Sequence, residues 1–331
     1  MDIQDTRQLK TFSTQRLERN QAAEKIVLLF AALALGSSAL VSLINYLISL
    51  QISKSGGLGN LGIRSVLSTV QTMLPLVQSL LVKILELGYL AAMLRVARGQ
   101  FVSERTLKLG FDRFWPLLRL LLIEGLIYLA LEFGCIYLAV MIYLMTPLSR
   151  PVIQLLMPLM QDTSMLSSGL VLDDALYDQL IAAMTPVFLI CGLLFCVAAV
   201  PVIYQYRMAE YVLIDRPGLG AMAALRESRK MMRRNRLKLL RVDISLWWFY
   251  AAVLLANVIG YGDTILPMLG VSLPMSEDAA YYLFYALSLA ILFAVYYFLR
   301  NRAEVTYALV YDDLRPKEKQ DGVVLGNIFQ M

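Results

Sequence analysis

The 331-residue chain contains no histidine. That absence excludes Ser-His-Asp and Cys-His nucleophilic machinery, HExxH metalloprotease chemistry and His-ligated haem. Its three cysteines, Cys135, Cys191 and Cys196, all fall inside apolar stretches, where neither a disulfide framework nor a four-ligand zinc site is expected. Cys191 and Cys196 do not share a helical face at their spacing, and they read as small apolar packing residues. Charge is scarce as well: Asp, Glu, Lys and Arg make up 17% of the chain, where a soluble domain has about 25%. No convergent nucleophile, base or metal set is visible, so the chain is expected to be non-enzymatic and to need no cofactor.

What fills the sequence is apolar, at 59% of residues. Six stretches, about 26–50, 66–94, 116–145, 181–205, 242–261 and 280–299, each come close to the ~20 residues that a helix needs to cross a ~30 Å hydrocarbon core. The segments between them alternate in charge. With the N-terminus in the cytoplasm, 26 of the 30 Lys and Arg residues lie on that side, ten of them in 206–241. The opposite loops hold Lys54, Arg64 and Arg150 against Asp162, Asp173, Asp174, Asp178, Asp263, Glu277 and Asp278. This satisfies the positive-inside rule and predicts an all-α polytopic membrane protein with six spans and both termini cytoplasmic. The net charge of +5 is then a sum over two compartments, and no nucleic-acid partner is expected. The first apolar run is too long for the h-region of a cleaved signal peptide and is expected to be retained.

The expected organisation is a cytoplasmic amphipathic segment over 1–25, a membrane domain over 26–314 and a polar, mobile tail over 315–331. Three basic segments, Leu9 to Lys25, Glu104 to Arg119 and Ala221 to Arg241, each feed into an apolar span. They suggest three units, each an interfacial helix followed by a transmembrane hairpin. The third segment is the strongest local signal. Met222, Leu225, Ser228, Met232 and Leu239 recur at three-, four- and seven-residue intervals and form one small or apolar stripe. Around it stand Arg226, Arg229, Lys230, Arg233, Arg234, Arg236, Lys238 and Arg241, opposed by Glu227. Such a helix is expected to lie in the headgroup plane with its stripe in the acyl boundary. Its cations then either only set topology or recognise an anionic lipid or an acidic partner.

Tyr204, Tyr206 and Tyr211-Val-Leu-Ile-Asp215 precede Ala224-Leu225, Ser228 and Met231-Met232. Ser245 and Trp248 follow, and then Thr306, Ala308 and Tyr311-Asp-Asp-Leu314. This series resembles the signature of a bacterial integral-membrane family called domain of unknown function 975. Gly88, Leu94, Ala97-Arg98-Gly99 and Leu107-x-x-Gly110-Phe111 are similar to its middle portion. The resemblance implies several transmembrane helices in a bacterial plasma membrane and supplies no catalytic residues. Where the family pattern usually has Gly after the paired methionines and a basic residue, this chain has Arg234. More distantly, the chain resembles the membrane portion attached to some glycerophosphodiester phosphodiesterases, which implies lipid-related work.

Ionisable residues inside spans are the other functional candidates, because burying them costs about 2.5–3.5 kcal/mol each on insertion scales. Lys83 and Glu86 stand one turn apart in the second span, and Glu124 and Glu132 lie in the third. Depth counting at ~1.5 Å per residue places Lys83 between the two third-span glutamates. The four residues form either a structural ion pair between helices or a polar site for a headgroup or a proton. Asp243 is expected to partner an interfacial arginine. Gly57-Leu-Gly59-Asn-Leu-Gly62 matches a dinucleotide-binding pattern by letter, but no strand precedes it, and it reads as a turn between helices. Pro151 to Met160 is expected to form a short amphipathic helix on the outer surface. The aspartates near it offer at most an open cation site, and aromatic clusters at span ends read as interfacial anchors. Membrane lipid is the expected partner, with a protein partner or a second copy also open. The runner-up to a lipid-associated organiser is a transporter that uses the four intramembrane charges.

Overall fold

The computed structural model describes residues 6–54, 61–161, 174–271 and 274–315. Apolar runs of this length leave the backbone one way to satisfy its own polar groups in hydrocarbon, which is helix. The described residues are accordingly helical, with no strand among them. In chain order the helices are α1 (Thr6–Glu18), α2 (Ala22–Lys54), α3 (Leu61–Ala97), α4 (Leu109–Asp112), α5 (Phe114–Met145), α6 (Arg150–Gln161) and α7 (Asp174–Tyr206). They continue as α8 (Ala209–Asp215), α9 (Ala221–Met232), α10 (Arg236–Ser245), α11 (Trp247–Gly260), α12 (Gly262–Met268), α13 (Glu277–Val295) and α14 (Asn301–Leu314). A 3-10 turn, Glu104–Lys108, precedes α4, and a π turn, Tyr296–Arg300, joins α13 to α14.

Among the described residues, four helices are long and apolar enough to cross a membrane: Ala22–Ile52, Phe114–Met145, Gln179–Asp215 and Ala279–Leu314. A fifth is added if α10 and α11, bent by 65° at Leu246, count as one span. The second expected span, α3, is a single 37-residue helix with Lys83 and Glu86 in its apolar run, and it is not among these. The turn motif at Gly57 to Gly62 and the tail from Pro316 onward lie outside the described residues, apart from Leu61 and Gly62, as do Asp162 and Asp173.

The chain divides into two compact units, Met1–Leu117 with Met208–Met331, and Leu118–Arg207. In the first, α3 is the central element, packed by α2, by α14 and by α8. Its core is concentrated where α2 begins and α3 ends: Ile26, Phe30, Leu87, Tyr89, Met93, Leu94, Met208, Leu213 and Tyr311 are all buried. Along the opposite halves of α2 and α3, Leu40, Leu43, Leu47, Val66 and Leu76 are exposed, as helices facing lipid require. The second unit consists of most of α5 with α6 and α7. Ala139 and Cys135 of α5 are buried in it, and the Tyr143 hydroxyl donates to the Ala183 carbonyl at 2.9 Å. A helix over the expected stretch, Pro151 to Met160, is present as α6.

Two glycines permit the tightest contact of the first unit. A Cβ at Gly88 would lie 2.3 Å from the Leu107 carbonyl oxygen, and one at Gly110 would lie 1.9 Å from that of Ile84. The segment after α3 therefore presses backbone against backbone, and Glu104 to Arg119 is not one interfacial helix. It forms the 3-10 turn, α4 and the start of α5. The turn between α3 and this segment is closed by Gly99 at φ 73°, with Gln100 N donating to Arg95 O at 2.9 Å. This left-handed C-terminal cap is one that glycine adopts without a Cβ penalty.

The third basic segment also departs from expectation. It is broken after Met232, so α9 and α10 are separate helices, and Asn235 Nδ2 closes the break by donating to Met231 O at 2.8 Å. The interruption therefore needs no glycine at Arg234. The stripe Leu225, Ser228, Met232 and Leu239 is buried within the protein, while Met222 is 53% exposed. Packing of α9 against α8 takes up the apolar face that was expected in the acyl layer. The helix of the sixth apolar run does not stop where that run does, near residue 299. Helix continues through the π turn into α14, whose Ala303, Val305, Thr306, Tyr307, Ala308, Val310 and Tyr311 are core residues.

Candidate functional site

The charged residues of α3 do not stand alone. Lys83 Nζ lies 2.7 Å from Glu86 Oε2 and 3.9 Å from Glu210 Oε1 of α8. Glu86 Oε1 in turn meets Arg300 Nη2 at 2.6 Å, and Arg300 Nε lies 3.7 Å from Glu304 Oε1 one turn further on. The π turn carries Arg300 at this point. A single π turn re-aims the side chains that follow it, and Arg300 is 7% exposed. Its guanidinium carbon sits 4.7 Å from the Phe30 ring centroid, 4.6 Å from that of Tyr296 and 5.3 Å from that of Tyr89. Aromatic faces stabilise a guanidinium in this way most strongly when it is desolvated. Tyr89 itself donates to Asn301 Oδ1 at 2.7 Å, and Tyr211 donates to Glu304 Oε2 at 3.3 Å. The cluster thus joins α2, α3, α8, the π turn and α14. Glu124 and Glu132 belong to the second unit, on α5, where Glu132 is exposed.

A second cluster ties the same elements at the end of α3. Arg98 Nε and Nη2 reach both oxygens of Asp312 at 2.7–3.1 Å, and its Nη1 reaches Asp215 Oδ1 at 2.7 Å. Asp215 Oδ2 also accepts from Tyr311 at 3.1 Å and from Arg315 at 3.0 Å. Two carboxylates in a fork geometry match what a guanidinium offers. Burial works against the charge on Arg98, but the hydrogen bonds it donates to Asp312 and Asp215 outweigh it and hold its pKa above the ordinary arginine value. A third tie lies on α10 and α14: Tyr307 donates to Asp243 Oδ1, Tyr250 adds a bond to Asp243 at 3.3 Å, and Lys10 Nζ donates to the Ser245 carbonyl. Two tyrosines thus donate to Asp243.

The residues that carry the family resemblance map onto these ties. Ser228 Oγ accepts from the Met208 backbone N–H at 3.2 Å, which ties the residue just before α8 to α9. Met231, Met232, Thr306 and Ala308 are core residues, Thr306 bonding back to Arg302 O at 2.7 Å. Tyr311 stacks on Tyr211 at 5.5 Å. Trp248, half-buried, lies edge-on to Phe249. Arg300, Glu304 and Glu210 were not read from the sequence as members of the site, because Arg300 follows an apolar run and looks like its polar end. Asn-Arg-Ala-Glu-Val-Thr-Tyr-Ala-Leu-Val-Tyr after it keeps small and apolar residues at helical spacing, a signal that would have revealed α14.

Arg226, Arg229, Lys230, Arg233, Arg234 and Arg241 are exposed on α9, the break and α10, and Arg236 and Lys238 are half-buried. Lys230, Arg233 and Arg234 line an open groove of about 720 Å³ with Glu227, Asn235 and Leu314. Among the described residues, no group of three or more Cys, Asp or Glu is placed to hold a metal ion.

The helices and the apolar surface define a membrane protein. The chain belongs to the family described as Protein of unknown function (DUF975), whose model matches residues 1–318. No curated protein and no solved structure matches it.

Proposed function

We propose that the chain is a non-enzymatic, lipid-associated organiser or accessory subunit of the bacterial plasma membrane whose basic face engages anionic lipid. The observation that carries this reading is the orientation of α9: its apolar stripe is taken up by protein, so its cations point outward around the Lys230–Arg233–Arg234 groove. A cation near an anionic leaflet contributes about 1 kcal/mol, and several around one groove suit a lipid phosphate better than bulk screening alone. The layout proposed is six spans with both termini cytoplasmic, in which α3 crosses the membrane with Lys83 and Glu86 compensated inside the protein. A protein partner or a second copy of the chain is compatible with this role.

The ion pairs of Lys83 and Glu86 speak for a structural function and against a conducting path through them, because each charge already has opposite charge within 4 Å. Transport using Lys83, Glu86, Glu124 and Glu132 is therefore the weaker reading. Native mass spectrometry of the purified protein decides between them. Changing Arg229, Lys230, Arg233 and Arg234 together to Gln is expected to abolish retention of phosphatidylglycerol or cardiolipin. At about 1 kcal/mol per cation the loss is on the order of a thousandfold. Equal retention by wild type and variant refutes the reading.

A further inference from the structure

In the second half of α2 one face carries a row of polar side chains. Ser38, Ser42, Asn45 and Ser49 recur at intervals of four, three and four, a helical repeat, while Leu40, Leu43 and Leu47 on the other faces are exposed. Gln71 and Gln78 of α3, two turns apart, stand opposite, and Tyr281, Tyr282 and Tyr285 of α13 form the third wall. These residues enclose a cleft of about 350 Å³, within the range of small-molecule sites, and none of its lining residues is charged. Ser38 Oγ and Tyr285 Oη are hydrogen-bonded at 3.1 Å, the Tyr46 ring is edge-on to Tyr282 at 5.0 Å, and Tyr281 stacks on Tyr285 at 6.1 Å. Asn45 Oδ1 is buried and has no hydrogen-bond partner among the described residues.

A buried acceptor without a donor is costly, and more so at membrane depth. The cleft supplies hydroxyls, carboxamides and aromatic faces, which suit a ligand that is itself rich in hydroxyls. The absence of any lining charge disfavours phosphate, carboxylate or ammonium, whose burial needs a counter-ion. The geometry points to a binding site for a neutral polyhydroxy group, sugar or glycerol in chemistry, donated to Asn45 and stacked against the α13 tyrosines. Asn45 lies about 35 Å along α2 from its first residue, at ~1.5 Å per residue, which in the layout proposed above is toward the leaflet opposite the basic groove. The site does not depend on the anionic-lipid reading.

Such a group reaches the cleft either as the headgroup of a glycosyl diacylglycerol or as a free sugar. The test is native mass spectrometry of the full chain, purified in an amine-oxide detergent that carries no sugar, with monoglucosyl diacylglycerol or with glucose as probe. Asn45→Leu and Gln78→Leu, on different helices, serve as variants, and their melting temperatures check the fold. Retention of the glycolipid but not of glucose, weakened at least tenfold by either variant, establishes the site with a lipid headgroup. Glucose retention with the same sensitivity establishes it for a soluble sugar. If neither probe is retained, or if folded Asn45→Leu and Gln78→Leu both bind as wild type does, the proposal is overturned and the cleft holds only water. Binding of phosphatidylglycerol at the basic groove is independent of all three outcomes.

Discussion

Gly110→Ala tests the most specific packing claim. An added Cβ would sit 1.9 Å from the Ile84 carbonyl oxygen and 2.8 Å from its carbon, whereas real Cβ contacts essentially never fall under 3.0 Å. Both neighbours are backbone of a continuous helix, so no rotamer change relieves the collision, and α3 and α4 must part by about an ångström. Overpacking costs typically 1–3 kcal/mol, and backbone displacement puts this case at about 3 kcal/mol. At roughly 2–4 °C per kcal/mol, the melting temperature in detergent is expected to fall by about 6–12 °C. Gly88→Ala, which meets Leu107 backbone at 2.3 Å, strains the same contact from the other side. The double variant is therefore expected to lose less than the two single losses combined, because parting the segments once relieves both. Gly36→Ala is the control: nothing lies within 4 Å of its Cβ, it sits inside α2, and alanine there is worth about 0.5–1 kcal/mol of added stability. If Gly110→Ala and Gly36→Ala shift the melting temperature alike, the backbone contact between α3 and α4 is refuted.

Removing Arg300 takes from Glu86 one of two counter-charges, Lys83 staying at 2.7 Å, and from Glu304 an ion pair, so Arg300→Met is expected to cost about 3 kcal/mol, the lower end for breaking a buried pair, by thermal melting. Arg300→Lys should recover little, since one ammonium cannot fill the aromatic cage and reach both carboxylates; near-complete rescue by Lys would contradict the geometry. Arg98→Ala is expected to cost about 2 kcal/mol, less than Arg300 because Arg98 and Asp312 remain about a quarter exposed and partly screened. The pH dependence of Arg98 has a definite sign. A folded-state pKa raised above the unfolded value means that its contribution is fully present below the unfolded pKa and lost only as pH rises through the folded one. Melting temperature differences between wild type and Arg98→Ala should therefore stay level from pH 7 to pH 10; a fall of the difference over that interval would be inconsistent with the raised value.

Membrane residence and an all-helical fold follow from the apolar runs, because hydrocarbon leaves the backbone no alternative to satisfying itself. The starts of α2, α5 and α6 were legible to within a few residues for the same reason: length and apolar content are local properties. Partnership was not legible. Lys83 and Glu86 were marked by their cost, but their counter-ions Arg300 and Glu210 lie far along the chain, and local sequence carries no term for which distant charge arrives. Arg300 looked like a membrane edge because an arginine after an apolar run is as well explained by solvent as by a buried carboxylate. The stripe of α9 was legible as apolar, yet whether lipid or α8 covers it depends on an interface between segments. Gly88 and Gly110 could be quoted from the family resemblance without showing that their missing side chains make room for each other's helices. The sequence alone determined that the chain is a helical membrane protein; the tertiary structure decided which charges neutralise one another, since that requires elements remote in sequence to pack within a few ångströms.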